Sequence, residues 1–142
     1  QAISGRFKMI ETDSLLIVDD CYNANPMSMK ASLDVLHDGA GRRVAILGDM
    51  GELGENEIAL HREVGAHAAS CGIDACVCVG SLARHMAEAA READPEFPVF
   101  YEETRESLLE NLGRYIQKGD TVLVKASHFM KFEEVVKALE EM

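Results

Sequence analysis

The residues at 17–26, IVDDCYNANP, change from apolar to polar within a few positions. Part of this polar run indicates a helix start, because Asn25 can accept hydrogen bonds from free helix N–H groups and Pro26 suits the first helical position. The other polar residues of the run are not explained by a helix start: Asp19, Asp20, Tyr22 and Asn23. A carboxylate at the end of a strand accepts from ribose hydroxyls, holds a metal ion, or satisfies loop amides. We expect at least one of the two aspartates to be functional.

A second loop, GDMGELGENE at 48–57, carries three glycines at three-residue spacing, which indicates a tight backbone. It is not a P-loop, because the Lys and Ser/Thr of that motif are missing. Its acids disfavour phosphate, and Glu55 and Glu57 instead place negative charge at the start of the following helix. His61 lies three residues from both Ile58 and Val64, near an apolar face, and we interpret it as a structural histidine.

A third loop, VKASHFMKF at 124–132, contains the densest basic group of the chain, Lys125, His128 and Lys131. Ser127 stands where a strand pattern changes to a helix pattern. Helix N–H groups, a hydroxyl and nearby cations together favour a carboxylate or a phosphate. The alternative is that the serine caps a helix and the lysines are solvated. We expect an anion-binding loop.

The composition limits the class of protein. A formal net charge of -11 over 142 residues opposes binding to nucleic acid or to anionic lipid. No apolar run is long enough to span a bilayer and no leader segment is visible, so we expect a cytoplasmic protein without membrane insertion. Of the four cysteines, only Cys76 and Cys78 are close in sequence, which predicts free, reduced thiols and no metal site.

Apolar strand patterns alternate with amphipathic helix patterns along the whole chain, which predicts one α/β domain over residues 1–142. FKMIE and SLLIVD form a hairpin, and four further strands read RVAILG, ACVCVG, PVFY and TVLVKAS. Helices are predicted from Pro26 to His37, along Leu60, Val64 and Ala68, from Ser81, along Leu108, Leu112 and Ile116 up to Lys118-Gly119, and along Phe132, Val135, Val136 and Leu139. The expected fold is a Rossmann-like, doubly wound, mostly parallel sheet of about six strands with helices on both faces.

Three long segments together resemble the C-terminal domain of the Mur ligases. They read DDCYNANPMSMKASL, RRVAILGDMGELGENEIALHREVG and VLVKASHFMKFEEVV, in the order of the family, and GRF at 5–7 is similar to the entry into that domain. The resemblance covers essentially the whole chain. It implies cytoplasmic peptidoglycan precursor synthesis, and with it cell wall biogenesis, cell shape and cell division.

The family's activity, by this resemblance, is ATP-dependent amide formation through an acyl phosphate. The member with these motifs joins D-alanyl-D-alanine to the UDP-N-acetylmuramoyl-tripeptide. The family has three domains, and the central one holds the P-loop and Mg²⁺. No GxxxxGK[ST] occurs in this chain, so it resembles an isolated third domain that closes over ATP, binds the dipeptide, works with the other domains of its polypeptide and is inactive alone.

The resemblance also implies roles for individual residues, none of them catalytic within this domain. Arg6 and Asp20 would hold the nucleotide, with Asp20 on the ribose, and Tyr22, Asn23 and Asn25 would line the cleft beside them. The residues expected at the dipeptide are Lys125, Ser127, His128 and Phe129. The family usually has Ser at the position of Cys21, and Arg at the position of His128.

Two other classes of protein share part of the pattern. LLIVDD also resembles the first strand of a response-regulator receiver domain, in which Asp49 would accept the phosphoryl group, Asp19 and Asp20 would hold Mg²⁺, and Lys125 would bind the phosphate. The short aspartate spacing and the strand before LLIVDD disagree with that class. A free-standing dinucleotide-binding domain would need a GxGxxG after a strand, and the chain has none.

Overall fold

The computed structural model describes residues 8–142. The strands are β1 (Lys8–Glu11), β2 (Leu16–Asp19), β3 (Arg43–Gly48), β4 (Ala75–Val79), β5 (Val99–Glu102) and β6 (Thr121–Lys125). The helices are α1 (Pro26–His37), α2 (Glu57–Ser70), α3 (Ala83–Ala93), α4 (Arg105–Tyr115) and α5 (Glu133–Glu140). Short 3₁₀ turns at Gly54–Asn56 and His128–Met130 precede α2 and α5.

The six strands form one sheet in the order β1-β2-β6-β3-β4-β5. Only β1 is antiparallel, and it pairs with β2 as the predicted hairpin. The central strand β6 pairs in parallel with β2 on one side and with β3 on the other. These features confirm the predicted mostly parallel α/β fold.

Both faces of the sheet are covered, which explains the near-continuous apolar runs in its central strands. Ala45 and Leu47 of β3 face one core, to which α1, α2 and α3 contribute. Val44 and Ile46 of the same strand face the second core, which is built with α4 and α5. Because successive side chains of a strand point to opposite faces, a strand between two cores is apolar at every position.

The strand order excludes the receiver class. Numbered along the chain, the five parallel strands lie in the order first, fifth, second, third, fourth. A flavodoxin-like receiver sheet places the second strand beside the first and the first beside the third. After β3 the chain continues to β4, on one side of the adjacent strands β6 and β3. After β6 it continues to α5, which packs against β2 on the other side. The loops after β3 and β6 therefore diverge. Rossmann-like sheets bind their ligands at such a divergence.

The helix predictions needed three small corrections. The buried stripe of α2 consists of His61, Val64, Gly65 and Ala68, while Leu60 is only half-buried. Helix α4 ends at Tyr115, and Ile116 continues in extended backbone with its side chain still buried. Helix α3 begins at Ala83, two residues later than predicted.

Among residues 8–142, no helix combines the length and the apolar character that crossing a membrane requires.

Candidate functional site

The three polar segments singled out in the sequence lie together at the carboxyl edge of the sheet. Strands β2, β6 and β3 are adjacent, with Asp19 paired to Val124 and Leu47 paired to Lys125. The loops that follow them are the β2–α1 loop (residues 20–25), the β3–α2 loop (49–56) and the β6–α5 loop (126–132). We call this region the three-loop edge.

A buried ion pair joins the β2–α1 loop to the last residue of β6. The ammonium of Lys125 donates to Oδ2 of Asp20 over 2.8 Å and to the carbonyl of Asn23 over 3.2 Å. The hydroxyl of Ser32 donates to the same carboxylate oxygen over 2.6 Å. Lys125 is 3% exposed and Asp20 is 7% exposed. Of the three basic residues of the predicted anion-binding loop, Lys125 is therefore buried and paired with an aspartate 105 residues away in the chain.

Ser127 connects all three loops. Its hydroxyl accepts from the backbone N–H of Gly51 over 2.8 Å and donates to the carbonyl of Ala24 over 3.4 Å. Its own N–H donates to the carbonyl of Asp49 over 3.1 Å. Ser127 is buried, so its polar atoms are used to hold the loops together.

His61 holds the β3–α2 loop from below. Its Nδ1 donates to the carbonyl of Glu57, and its Nε2 accepts from the N–H of Met50 over 3.0 Å. These two bonds require the neutral ring, and the side chain is fully buried. The interpretation of His61 as a structural histidine is confirmed.

The glycines of the β3–α2 loop allow close approach. A Cβ on Gly51 would stand 2.8 Å from the ring of Phe129, and a Cβ on Gly48 would stand 2.7 Å from Ala126 and Phe132. The tight backbone predicted from the glycine spacing therefore accommodates the β6–α5 loop.

Asp49 caps a helix and is not presented to solvent. Its carboxylate accepts from the N–H of Ala83, the first residue of α3, over 2.7 Å. Burial raises the pKa of Asp49, and the N–H groups at the start of α3 oppose that rise. A Cβ on Gly80 would lie 2.4 Å from this carboxylate, so a glycine is needed there, where φ is +119°. A phospho-acceptor would have to be accessible, which disagrees with the receiver interpretation.

Asn25 has the predicted capping role. Its side chain accepts from the N–H of Ser28 over 2.9 Å, and the hydroxyl of Ser28 accepts from the N–H of Asn25, which completes a capping box. Pro26 is the first residue of α1. The helix start therefore sets where the β2–α1 loop ends.

Five of the predicted site residues are exposed at the three-loop edge: Tyr22, Asn23, Asn25, His128 and Phe129. Tyr22 is 56% exposed and Phe129 is 58% exposed. The rings of Tyr22 and His128 lie 6.3 Å apart between centroids, so the first and third loops also meet at the surface. Arg6, which was predicted to contact the nucleotide, lies outside the described residues.

The three aspartates of this edge are engaged within the domain, whereas Mg²⁺ needs several free oxygen ligands in octahedral geometry. Asp19 accepts from the N–H and thiol of Cys21, Asp20 accepts from Ser32 and Lys125, and Asp49 caps α3. Burial and the bond to Asp19 raise the pKa of the Cys21 thiol to about 12, so it is protonated at neutral pH.

The sequence analysis missed Ser32 and the backbone N–H of Gly51, both of which bond to predicted site residues. Ser32 had a readable signal. It stands within the buried stripe of α1, between Met29 and Leu33, where a polar side chain needs a partner from the sheet. Gly51 had no comparable signal, because the partner of its N–H is 76 residues away.

Known proteins are similar to this chain in amino-acid sequence and in fold. The family model "Mur ligase, glutamate ligase domain" matches residues 5–128. A UDP-N-acetylmuramoyl-tripeptide–D-alanyl-D-alanine ligase of Bacillus subtilis (strain 168) is 40% identical over 139 residues, which cover 96% of this chain and 30% of the relative. The corresponding ligase of Escherichia coli (strain K12) is 38% identical and is likewise covered over 30% of its length.

A crystal structure of MurF from Acinetobacter baumannii superposes over 100% of this chain and 31% of its own, with a TM-score of 0.83 and 32% identity. The chain therefore spans about a third of the length of these three relatives. The family model covers most of the chain, and the three loops carry the segments that resemble the family. This chain accordingly belongs to the Mur ligase family and corresponds to its glutamate ligase domain.

Proposed function

We propose that this chain acts as the third domain of an ATP-dependent ligase that joins D-alanyl-D-alanine to the UDP-N-acetylmuramoyl-tripeptide. Its role is to close over ATP and to hold the incoming dipeptide. The observation that carries the proposal is the 40% identity, over 96% of the chain, to a relative named for that reaction. The related domain structures support it, and one of them is a MurF ligase of Thermotoga maritima in complex with ADP.

The β2–α1 loop is proposed to face the nucleotide. Tyr22 and Asn23 are exposed and offer a ring, a hydroxyl and an amide, which are groups suited to a nucleoside. The bonds from Ser32 and Lys125 to the Asp20 carboxylate both end on Oδ2, so a ribose contact would use Oδ1. Asn25 lines the cleft while its side chain caps α1. Arg6 is proposed on the resemblance alone.

The β6–α5 loop is proposed to hold the dipeptide. His128 and Phe129 are exposed at its tip, where a ring N–H can donate to a carboxylate and an apolar ring can cover the alanine methyl groups. Lys125 and Ser127 are buried beneath them and position the loop. Anchoring the carboxylate end of the dipeptide leaves its amine free to attack, which is the orientation that amide formation needs.

ATP supplies the phosphoryl group that activates the substrate carboxylate, and this chain has no P-loop for its phosphates. The three aspartates at the three-loop edge already bond to groups of the domain itself. The proposal therefore assigns phosphate and metal binding to other domains of the same polypeptide. The UDP-N-acetylmuramoyl-tripeptide would likewise be held there.

The experiment is a domain replacement. The third domain of the Bacillus subtilis ligase is exchanged for this chain, and ATP-dependent ligation of D-alanyl-D-alanine to the tripeptide precursor is measured. The control is the native third domain, reinserted with the same junction. We expect ligation with the replaced domain and none with this chain alone. A folded hybrid that binds ADP but forms no product, while the control does, would contradict the proposal.

A further inference from the structure

Three side chains with metal-binding atoms converge where α1 and α2 end side by side. Asp34 lies in the last turn of α1, His67 lies in the last turn of α2, and Cys71 is the residue that caps α2. Their ligand atoms all lie within 4.8 Å of one another. Both helices begin at the three-loop edge, so this cluster lies at the opposite edge of the sheet. We call it the helix-end cluster.

The chemistry of the cluster suits a zinc-like ion. A thiolate, an imidazole and a carboxylate are the three ligand types that Zn²⁺ takes, and together they disfavour Mg²⁺ and Ca²⁺, which prefer oxygen alone. His67 and Cys71 are four residues apart, so they occupy one face of the α2 end, and Asp34 approaches from α1. With a water molecule these residues would complete four ligands.

The geometry requires only small side-chain movement. A tetrahedral zinc with bonds of about 2.0 to 2.3 Å places its ligand atoms about 3.3 to 3.8 Å apart. Nε2 of His67 is now 2.7 Å from Oδ1 of Asp34, so this pair must open slightly. The side chain of Asp34 is 61% exposed and is free to adjust. Sγ of Cys71 points to the carbonyl of Ala68 at 3.6 Å, a weak contact that a metal bond would replace.

The surrounding charges favour a cation. Two helix C-termini meet at the cluster, and each carries partial negative charge on its free carbonyl groups. Arg43, a cation close enough to act on Cys71, is already paired with Asp74 and donates to the carbonyls of His37 and Gly72. Burial raises the pKa of Cys71, as does the nearby Asp34, so the thiol is protonated until a metal displaces its proton.

A plain surface ion pair on the same two helices shows what the helix-end cluster adds. One turn earlier, Lys30 of α1 contacts Glu63 of α2 over 3.0 Å, with no third group available as a ligand. The pair of Asp34 and His67 stands at the equivalent position, but a half-buried thiol lies within reach of both. The sequence analysis predicted no metal site because it considered only closely spaced cysteines.

We propose that Asp34, His67 and Cys71 form a zinc-class metal site that joins the ends of α1 and α2. On binding, the Cys71 thiol releases one proton to the buffer, and the proton that Nε2 of His67 donates to Asp34 moves to Nδ1 of the same ring. The hydrogen bond between His67 and Asp34 is thereby replaced by one bond from each residue to the metal. The thiolate and the carboxylate then neutralise the divalent charge. The site is remote from the three-loop edge, so it would stabilise the domain without contacting substrate.

The test is a Co²⁺ titration of the 142-residue chain without a polyhistidine tag, in a reductant that contains no thiol. We expect one equivalent to produce the thiolate-to-cobalt charge-transfer band, and Zn²⁺ to remove it by displacement. Cys71→Ser should abolish the band. Asp34→Asn and His67→Gln should each weaken affinity roughly tenfold or more. Added Zn²⁺ should also raise the unfolding temperature of the native chain and not that of Cys71→Ser.

Two matched variants control for adventitious binding. Cys21→Ser removes the other half-buried thiol, and Glu63→Gln removes a carboxylate from α2, the helix that carries His67. Both variants should keep the charge-transfer band. Circular dichroism establishes that each variant is folded. No charge-transfer band in the native chain, a band that persists in Cys71→Ser, or a band lost in Cys21→Ser would overturn the proposed site.

Discussion

The polar side chains at the three-loop edge have two distinct environments. Asp20, Lys125 and Ser127 are buried, and their hydrogen bonds link the segments that meet at this edge. Tyr22 and His128 are exposed. Buried polar groups need partners, and here the partners come from three separate segments of the chain. The buried residues therefore determine the shape of the edge, and the exposed residues are the ones we propose to contact ligands.

Lys125→Met should destabilise the domain strongly, because it leaves the Asp20 carboxylate buried without its cation. Removing one partner of a buried pair costs about 3 to 5 kcal/mol. Lys30→Met is the matched control, since Lys30 forms an exposed pair with Glu63, and such pairs contribute about 0 to 1 kcal/mol. Urea denaturation measures both. Equal losses of stability in the two variants would show that the Lys125 pair behaves as a surface pair.

Tyr115 should make stability fall at alkaline pH. Burial and donation to the carboxylate of Glu102 raise its pKa to about 12. The unfolded side chain titrates near pH 10, so between about pH 10 and 12 the folded state holds the proton more tightly, and stability falls as pH rises. The free energy of unfolding at about pH 9 and about pH 11.5 measures this loss.

Tyr115→Phe should reduce that alkaline loss, because it removes the hydroxyl that donates to Glu102. Some loss should remain in Tyr115→Phe, since burial also raises the pKa of Tyr101. An alkaline loss of the same size in Tyr115→Phe and in the native chain would be inconsistent with the assigned bond.

Individual residues also show the limit of reading the sequence. Asn25 and Pro26 were predictable as a helix start because capping depends on neighbours within three residues. The burial of Lys125 was not, because its partner Asp20 comes from the other end of the chain and only the sheet order brings them together. Site residues were recognisable by type and by the loops they occupy, whereas their exposure depended on contacts over long sequence distances.

At the scale of elements, the strands and helices were predicted well because the apolar periods are strong. The near-continuous run of β3 and the alternation of strands with helices indicated a parallel sheet between two helix layers. The strand order itself was beyond the sequence, since every parallel strand has a similar apolar pattern. The close crossing of α2 and α3 was equally hidden, although Gly65 makes it possible.

Gly65→Ala should destabilise the packing of α2 against α3. A Cβ there would lie 2.0 Å from the backbone oxygen of Met86, so the helices would have to separate, at roughly 1 to 3 kcal/mol. Gly113→Ala in α4 is the control, because Gly113 is exposed and has nothing within 4 Å of that position. Alanine is the better helix former, so this variant should gain about 0.5 to 1 kcal/mol. Thermal unfolding that shifts both variants in the same direction would refute the tight crossing.

At the scale of the whole molecule, the two edges of the sheet differ in chemistry. The three-loop edge combines a buried polar network with exposed aromatic and amide side chains. The opposite edge carries the helix-end cluster of Asp34, His67 and Cys71. The two cores between them enclose the central strands on both faces. We propose that the three-loop edge faces partner domains and substrates and that the helix-end cluster at the opposite edge stabilises the domain.

The measurement that tests the account most directly is a comparison of Michaelis constants in the ligase carrying this chain as its third domain. His128→Ala should raise KM for D-alanyl-D-alanine roughly tenfold or more, as expected for a lost bond to a carboxylate, and leave KM for ATP within about twofold. Asn23→Ala should raise KM for ATP and leave KM for the dipeptide unchanged. Lys137→Ala, on the exposed side of α5, is the control and should alter neither constant. Two results would contradict the assignment of the β2–α1 loop to ATP and of the β6–α5 loop to the dipeptide. In the first, both site variants leave both Michaelis constants unchanged; in the second, each variant changes the constant assigned to the other.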